Sequence, residues 1–153
     1  MRQDELKESN MIKNYIYCKK IADYIIKCNN NKHGSLMYGN AGICIFLYHL
    51  SNVGCLNYIE EYADGLLSEM SQNKFVLPSP DFENGLAGTG WFIEYLIQNG
   101  FSEGDADKIL YDIDQGIFKF LNESGDMPLN LNNGLLGYLL FTMSRFTKKN
   151  RTE

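Results

Sequence analysis

Asp81-Phe82-Glu83-Asn84-Gly85-Leu86-Ala87-Gly88-Thr89-Gly90-Trp91-Phe92-Ile93-Glu94-Tyr95-Leu96 is a glycine-punctuated turn that runs into an almost wholly apolar segment. Two other stretches follow the same plan. Tyr38-Gly39-Asn40-Ala41-Gly42-Ile43-Cys44-Ile45-Phe46-Leu47 lies upstream and Asn133-Gly134-Leu135-Leu136-Gly137-Tyr138-Leu139-Leu140-Phe141 downstream, each a Gly-x-x-Gly followed by apolar residues. The leading glycines, Gly39, Gly85 and Gly134, stand 46 and 49 residues apart, a period at which self-similarity marks an array of helical hairpins.

Working outward, each apolar segment is preceded by one whose apolar residues recur on a single helical face. From about Met11 to Cys28 the stripe is Tyr15, Cys18, Ala22, Ile25 and Ile26, opposed by Lys13, Lys20 and Lys27; such a pattern predicts an amphipathic helix. Asn29 to Gly34 is expected to stop it, because Asn and Gly tolerate the left-handed conformation. A second helix, Asn40 to Leu50, is apolar nearly all round and must be buried on most sides. Leu56, Ile59, Tyr62, Ala63, Leu66, Leu67 and Met70 then form a stripe opposite Glu60, Glu61, Asp64 and Ser68. Pro78 and Pro80 bar helix continuation in the following loop, before the apolar Leu86 to Ile97. The third unit starts near Ser102, which with Asp105 resembles a capping arrangement. Ala106, Ile109, Leu110, Ile113, Ile117, Phe120 and Leu121 share one face, and Leu135 to Phe146 closes the series. The pattern is all-α: one-faced helices on an outer layer, greasy helices on an inner one, as in a curved helical array or an α/α toroid. Phe75-Val76-Leu77 offers at most a short local pairing. Residues 10–147 read as a single domain, with 1–9 and 148–153 as flexible ends.

Glycine costs about 1 kcal/mol against Ala inside a helix, so its recurrence requires a reason. The first Gly of each motif (Gly39, Gly85, Gly134) is expected to supply a positive φ. The second (Gly42, Gly88, Gly137) is expected to let neighbouring helices approach, and Gly90 reads as a further structural glycine. An alternative is functional: three helix N-termini entered from one side aim N–H groups at a shared region that suits a carboxylate or phosphate. No Lys follows any Gly-x-x-Gly, so the signal is weaker than a phosphate-binding loop.

Composition narrows the classes of function. A net charge of −5 leaves no basic face to displace counterions from a nucleic acid, and Lys148, Lys149 and Arg151 read as a solvated tail. The opening residues lack the apolar run of a signal peptide and no segment reaches the roughly 18 apolar residues of a membrane span, so a cytoplasmic location without membrane contact is expected. Cys18, Cys28, Cys44 and Cys55 show no Cys-x-x-Cys spacing and read as reduced, buried thiols.

The Gly39-Asn40-Ala41-Gly42-Ile43, Asn84-Gly85-Leu86-Ala87-Gly88-Thr89-Gly90-Trp91 and Gly134-Leu135-Leu136-Gly137-Tyr138 motifs, with Gly100-Phe101-Ser102-Glu103-Gly104-Asp105 between the last two, resemble those of the lanthionine synthetase C-like family over residues 10 to 147. The resemblance implies an α/α toroid, normally of seven hairpins, and a zinc enzyme that adds peptide cysteine thiols to dehydrated Ser or Thr residues. Only three hairpins are present here. The family's zinc ligands, two Cys and a His, belong to later repeats whose motifs have no match in this chain, so no metal ligand, no zinc cofactor and no catalytic residue carries over. Cys44 and His49 are five apart on one helix, project in different directions, and fall short of the three ligands a catalytic zinc needs.

Three functions follow as expectations. The first is a zinc-free peptide- or protein-binding accessory module in peptide modification, whose uncovered end helices call for a homo-oligomer or for a partner supplying further hairpins. The second is an N-terminal fragment or subunit of a zinc-dependent peptide thioether cyclase. The third is a carbohydrate-active α/α toroid in which Asp81, Glu83 or Glu94 serves as acid and base. Glu94 stands out as an acid in a buried helix, where desolvation raises a carboxyl pKa; an ion pair, a cap or exposure through the ring is the plainer explanation. His33, Tyr38, Asn40, Asn84, Trp91 and Asn133 are expected on a ligand-facing rim at the glycine-turn end, with turn chemistry and packing as the alternative roles.

Overall fold

The computed structural model of the chain describes residues 3–54, 56–72 and 79–147. Among them are seven helices and no strand: α1 Gln3–Cys28, α2 Asn40–Gly54, α3 Asn57–Gln72, α4 Leu86–Gln98, α5 Ala106–Ile109, α6 Tyr111–Glu123 and α7 Leu135–Phe146. Cys55, Phe75-Val76-Leu77, Pro78, and Lys148, Lys149 and Arg151 lie outside the described residues.

The amphipathic and apolar helices alternate as the periodicity requires. In α3, Ile59, Ala63, Leu66 and Met70 are buried while Glu60, Glu61, Asp64 and Ser68 face water. In α1, Ala22 is buried and Tyr15, Cys18, Ile25 and Ile26 are half-buried, and the helix reaches back to Gln3 rather than starting near Met11. The inner helices α2, α4 and α7 lie side by side, α4 between the others. The outer helices α3 and α6 pack chiefly on the inner helix that precedes each, α2 and α4, whereas α1 packs on the inner helix that follows it, α2. Tyr48 on α2 donates a hydrogen bond to Asp64 on α3 at 2.7 Å. Phe92, Leu96, Ile117, Tyr138 and Phe141 fill the space among α4, α6 and α7. Each large apolar side chain removed from water contributes about 1.5–3 kcal/mol.

Four expectations need correction. The third outer helix is broken in two at Leu110 (φ −95°, ψ 1°), leaving Ile109 half exposed, and the cap is Asp105 itself, which accepts from the Asp107 N–H at 3.1 Å. Second, α7 is greasy but not enclosed: Leu135, Leu136, Leu139, Leu140, Met143 and Phe146 are exposed, Phe146 at 81%. Third, α1 ends at Cys28, where Asn29 to Gly34 is expected to stop it, but without a left-handed glycine at Gly34. Asn29 and Asn31 stop it by accepting the N–H groups of Asn31 and His33 at 3.0 and 2.9 Å, and the positive φ values at described glycines belong to Gly100 and Gly104. Fourth, Cys28 is exposed and Cys18 half-buried, so burial holds only for Cys44 among the described cysteines.

The recurrent glycines answer to space, not to φ. Gly85 and Gly134 have φ of −120° and −122°, values open to any residue. A Cβ at Gly39 would lie 2.5 Å from the His33 carbonyl oxygen, and one at Gly42 2.5 Å from that of Leu36. The same clash, always with the carbonyl six residues earlier, awaits a Cβ at Gly85, Gly88, Gly134 and Gly137. The preceding loop wraps tightly over the helix start, and only glycine leaves it room. At Gly90 the space is taken by a neighbouring helix, with Phe141 of α7 pressed against its open face.

Candidate functional site

The three glycine loops meet at one end of the molecule. Met37 N–H donates to the Glu83 carbonyl at 3.2 Å, and the N–H groups of Phe82 and Glu83 both donate to the Asn132 carbonyl at 3.0 Å. Residues 37, 83 and 132 each stand two before a leading glycine, so one bonding rule joins successive loops. The same end includes His33, Tyr38, Asn84 and Asn133, all exposed.

An open anion site at the helix starts is ruled out for α4, whose first three N–H groups are taken. Leu86, Ala87 and Gly88 donate to the carbonyls of Ser79, Pro80 and Asp81 at 3.0, 3.2 and 3.4 Å. Asn40 and Leu135 donate to the equivalent carbonyls of His33 and Pro128. The loop supplies the caps that the first turn lacks.

Most of the polar rim residues hold the loops in shape. Asn40 is buried; it accepts from Asn29 Nδ2 and donates to the Asn31 carbonyl, both at 3.0 Å. The Asn84 and Asn133 N–H groups are accepted by Asp81 Oδ1 and Asn130 Oδ1 at 2.8 and 3.1 Å, the self-bonding turns such side chains favour. Trp91 is half-buried, stacked on Tyr95 with centroids 5.0 Å apart and edge-on to Phe82 at 5.9 Å. Tyr38 remains 68% exposed, and a hydrogen bond to the Glu83 carboxylate raises its phenol pKa above the ordinary value. His33, Tyr38, Asn84 and Asn133 thus share the rim; Glu94 does not.

Glu94 is 1% exposed on α4 and bound to Arg145 of α7, with Nη1 to Oε2 at 2.5 Å and a further hydrogen bond from Gln98 at 2.9 Å. Arg145 also holds Asp114 of α6 at 2.9 Å and Asp107 of α5 at 3.0 Å. Burial pulls the guanidinium down, but Asp114 and Glu94 outweigh it and keep its pKa above the usual value. This hub joins four helices. Sequence reasoning passed over it, although Arg145 is the one cation in Leu135–Phe146 and that isolation is a readable signal.

The described residues do not assemble a zinc site. Among the described residues no group of three or more His, Cys, Asp or Glu is placed to hold a metal. Cys44 lies in the core with Sγ 3.7 Å from the Ala63 carbonyl, and burial, aided by Asp64, pushes its thiol pKa up to about 12. His49 is exposed, with Nε2 2.6 Å from the Tyr95 hydroxyl. Nor is any described helix long and apolar enough to cross a membrane.

An all-helical stack of hairpins, its inner helices entered through paired glycines, defines an α/α-hairpin repeat protein, and comparison with known proteins makes that class specific. The chain belongs to the lanthionine synthetase C-like protein family, whose model matches residues 4–133. No curated protein and no solved structure matches it.

Proposed function

We propose that this chain is a short lanthionine synthetase C-like module that binds a peptide or protein in the course of peptide modification, in the cytoplasm, without chemistry of its own. The observation that carries the reading is the commitment of Glu94, Cys44 and His49 to structure. Glu94 is neutralised by Arg145 in a buried ion pair, the Cys44 thiol stays protonated in the core, and His49 is tied to Tyr95. A general acid must reach the atom it protonates, and Glu94 is enclosed; this counts against a carbohydrate-active toroid. What the surface offers is apolar, notably a groove of about 350 Å³ beside Met11, Tyr15, Cys18, Phe46, Leu50 and Val53.

A second reading, a subunit of a zinc-dependent peptide thioether cyclase whose metal half lies elsewhere, is favoured by the uncovered face of α7. One experiment separates the two. The purified chain is mixed with a linear peptide containing cysteine and dehydrated Ser or Thr; fluorescence of Trp91, the single Trp, reports binding and a thiol titration reports ring closure. The module reading expects a saturable fluorescence change, no thiol consumption, and no bound zinc by elemental analysis. Thiol loss with the chain alone, or no binding at any peptide concentration, refutes it. Thiol loss appearing only when a zinc-bearing family member is added establishes the subunit reading instead.

A further inference from the structure

The joints between repeats follow a pattern that is half-made at the outer sides of the first and third described repeats. At the joint of repeats one and two, Leu36 sits 3.3 Å from where a Cβ on Gly88 would stand, and Met37 N–H bonds to the Glu83 carbonyl. At the next joint Phe82 sits 2.5 Å from the Cβ position of Gly137, and the Phe82 and Glu83 N–H groups bond to the Asn132 carbonyl. In each case the residue six before the second glycine of one repeat plugs the slot at the second glycine of the next.

By the same register the third repeat presents Leu131 as its plug and the Asn132 N–H as its donor. The first repeat presents Gly42 as its slot and the Met37 carbonyl as its acceptor. Neither the Asn132 N–H nor the Met37 carbonyl makes a hydrogen bond among the described residues. Among the described residues no side chain stands within 4 Å of the Cβ position at Gly42, unlike Gly88 and Gly137. Instead an open apolar groove of about 400 Å³ lies there, walled by Ile21, Ile25, Leu36, Ile43 and Phe46 beside Gly42. Leu139 and Leu140 are both exposed on α7 of the same repeat.

We infer that a second copy of this chain docks head to tail, Leu131 of one copy entering the Gly42 groove of the next and the Asn132 N–H meeting the Met37 carbonyl. The occupant is a second copy because both halves of the joint are present on one chain and match the two joints already made within it. The contact is heterologous: each copy uses two different surfaces, so assemblies grow until they close. Apolar burial drives it, and it does not depend on peptide binding.

The test uses two variants of the 153-residue chain, Leu131→Asp at the plug and Ile21→Asp at the groove, with mass measured by light scattering over a concentration series. The unaltered chain is expected to form species at multiples of 17.5 kDa, and each variant alone to be monomeric with unchanged helicity by circular dichroism. Mixing the two variants joins the intact plug of one to the intact groove of the other. It yields a one-to-one complex that cannot grow, a result that an isologous dimer does not give. If Leu131→Asp loses helicity, Leu139→Glu on the exposed face of α7 replaces it. An unaltered chain that stays monomeric throughout, variants that still self-associate, or no complex on mixing overturns the inference; peptide binding by such a monomer would leave the proposed function standing.

Discussion

Adding one methyl group has opposite consequences at two glycines of this chain. At Gly85 it would collide with the Ser79 carbonyl and lie 2.7 Å from the Asp81 nitrogen, whereas at Gly65, exposed on α3, it meets nothing within 4 Å. Gly85→Ala is therefore expected to cost about 1–3 kcal/mol as an overpacking change, and Gly65→Ala to stabilise by about 0.5–1 kcal/mol as a helix-propensity change. Urea midpoints measure both, and a destabilised Gly65→Ala or a neutral Gly85→Ala would contradict the spatial account. The cysteines divide in a similar way. Cys28 is exposed and Cys44 buried, so peptide mapping after alkylation of the native protein should find Cys28 modified and Cys44 protected until global unfolding. Because burial raises the Cys44 pKa to about 12 from 9.0, the unfolded chain loses that proton first as pH rises. The associated stability is fully present below pH 9 and is lost between about 9 and 12. Replacing Cys44 with Ala should flatten that part of the stability-versus-pH curve.

Between elements, the ion-pair hub is the contact most open to disruption. Arg145→Met removes the guanidinium from beside Glu94, which has 2% of its side chain exposed, and removing one partner of a buried ion pair costs about 3–5 kcal/mol. Adding Glu94→Gln should recover part of that loss, since the buried carboxylate charge is then removed as well; thermal unfolding of the single and double variants decides it. The identity of the helices was legible from their apolar spacing, and α7 runs from Leu135 to Phe146 as that spacing required. Other features were not legible, each for a physical reason. The stripe from Ala106 to Leu121 continues across Leu110, so the kink leaves no trace in the pattern. Gln3 to Lys7 carries no stripe at all, yet forms the first turns of α1. The partner that neutralises Glu94 lies 51 residues away, beyond any local rule. The gathering of the three loops at one end was legible, because they follow one pattern. The purpose of their asparagines was not, since turn-forming and ligand-facing residues are of the same types.

Stability in a stacked array is a sum of units and the joints between them, and the joints here are unequal. The central inner helix α4 packs against α2, α5, α6 and α7, whereas α1 packs chiefly on α2. A fault in the middle should therefore spread and a fault at the end should stay local. Phe92, 2% exposed at the centre of α4, tests the first case: Phe92→Ala is expected to cost about 3–5 kcal/mol and to speed amide hydrogen exchange across α2, α4, α6 and α7 together. Tyr15→Ala, at the half-buried face of α1, should speed exchange in α1 while α4, α6 and α7 keep their protection. The loop amides of Met37, Phe82 and Glu83 are the most direct reporters, because each bonds across a joint and opens only when that joint does. If Phe92→Ala loosened α4 alone, or if Tyr15→Ala released all three loop amides, the helices would not be coupled through their shared inner layer, and the repeat-by-repeat account of this fold would be wrong.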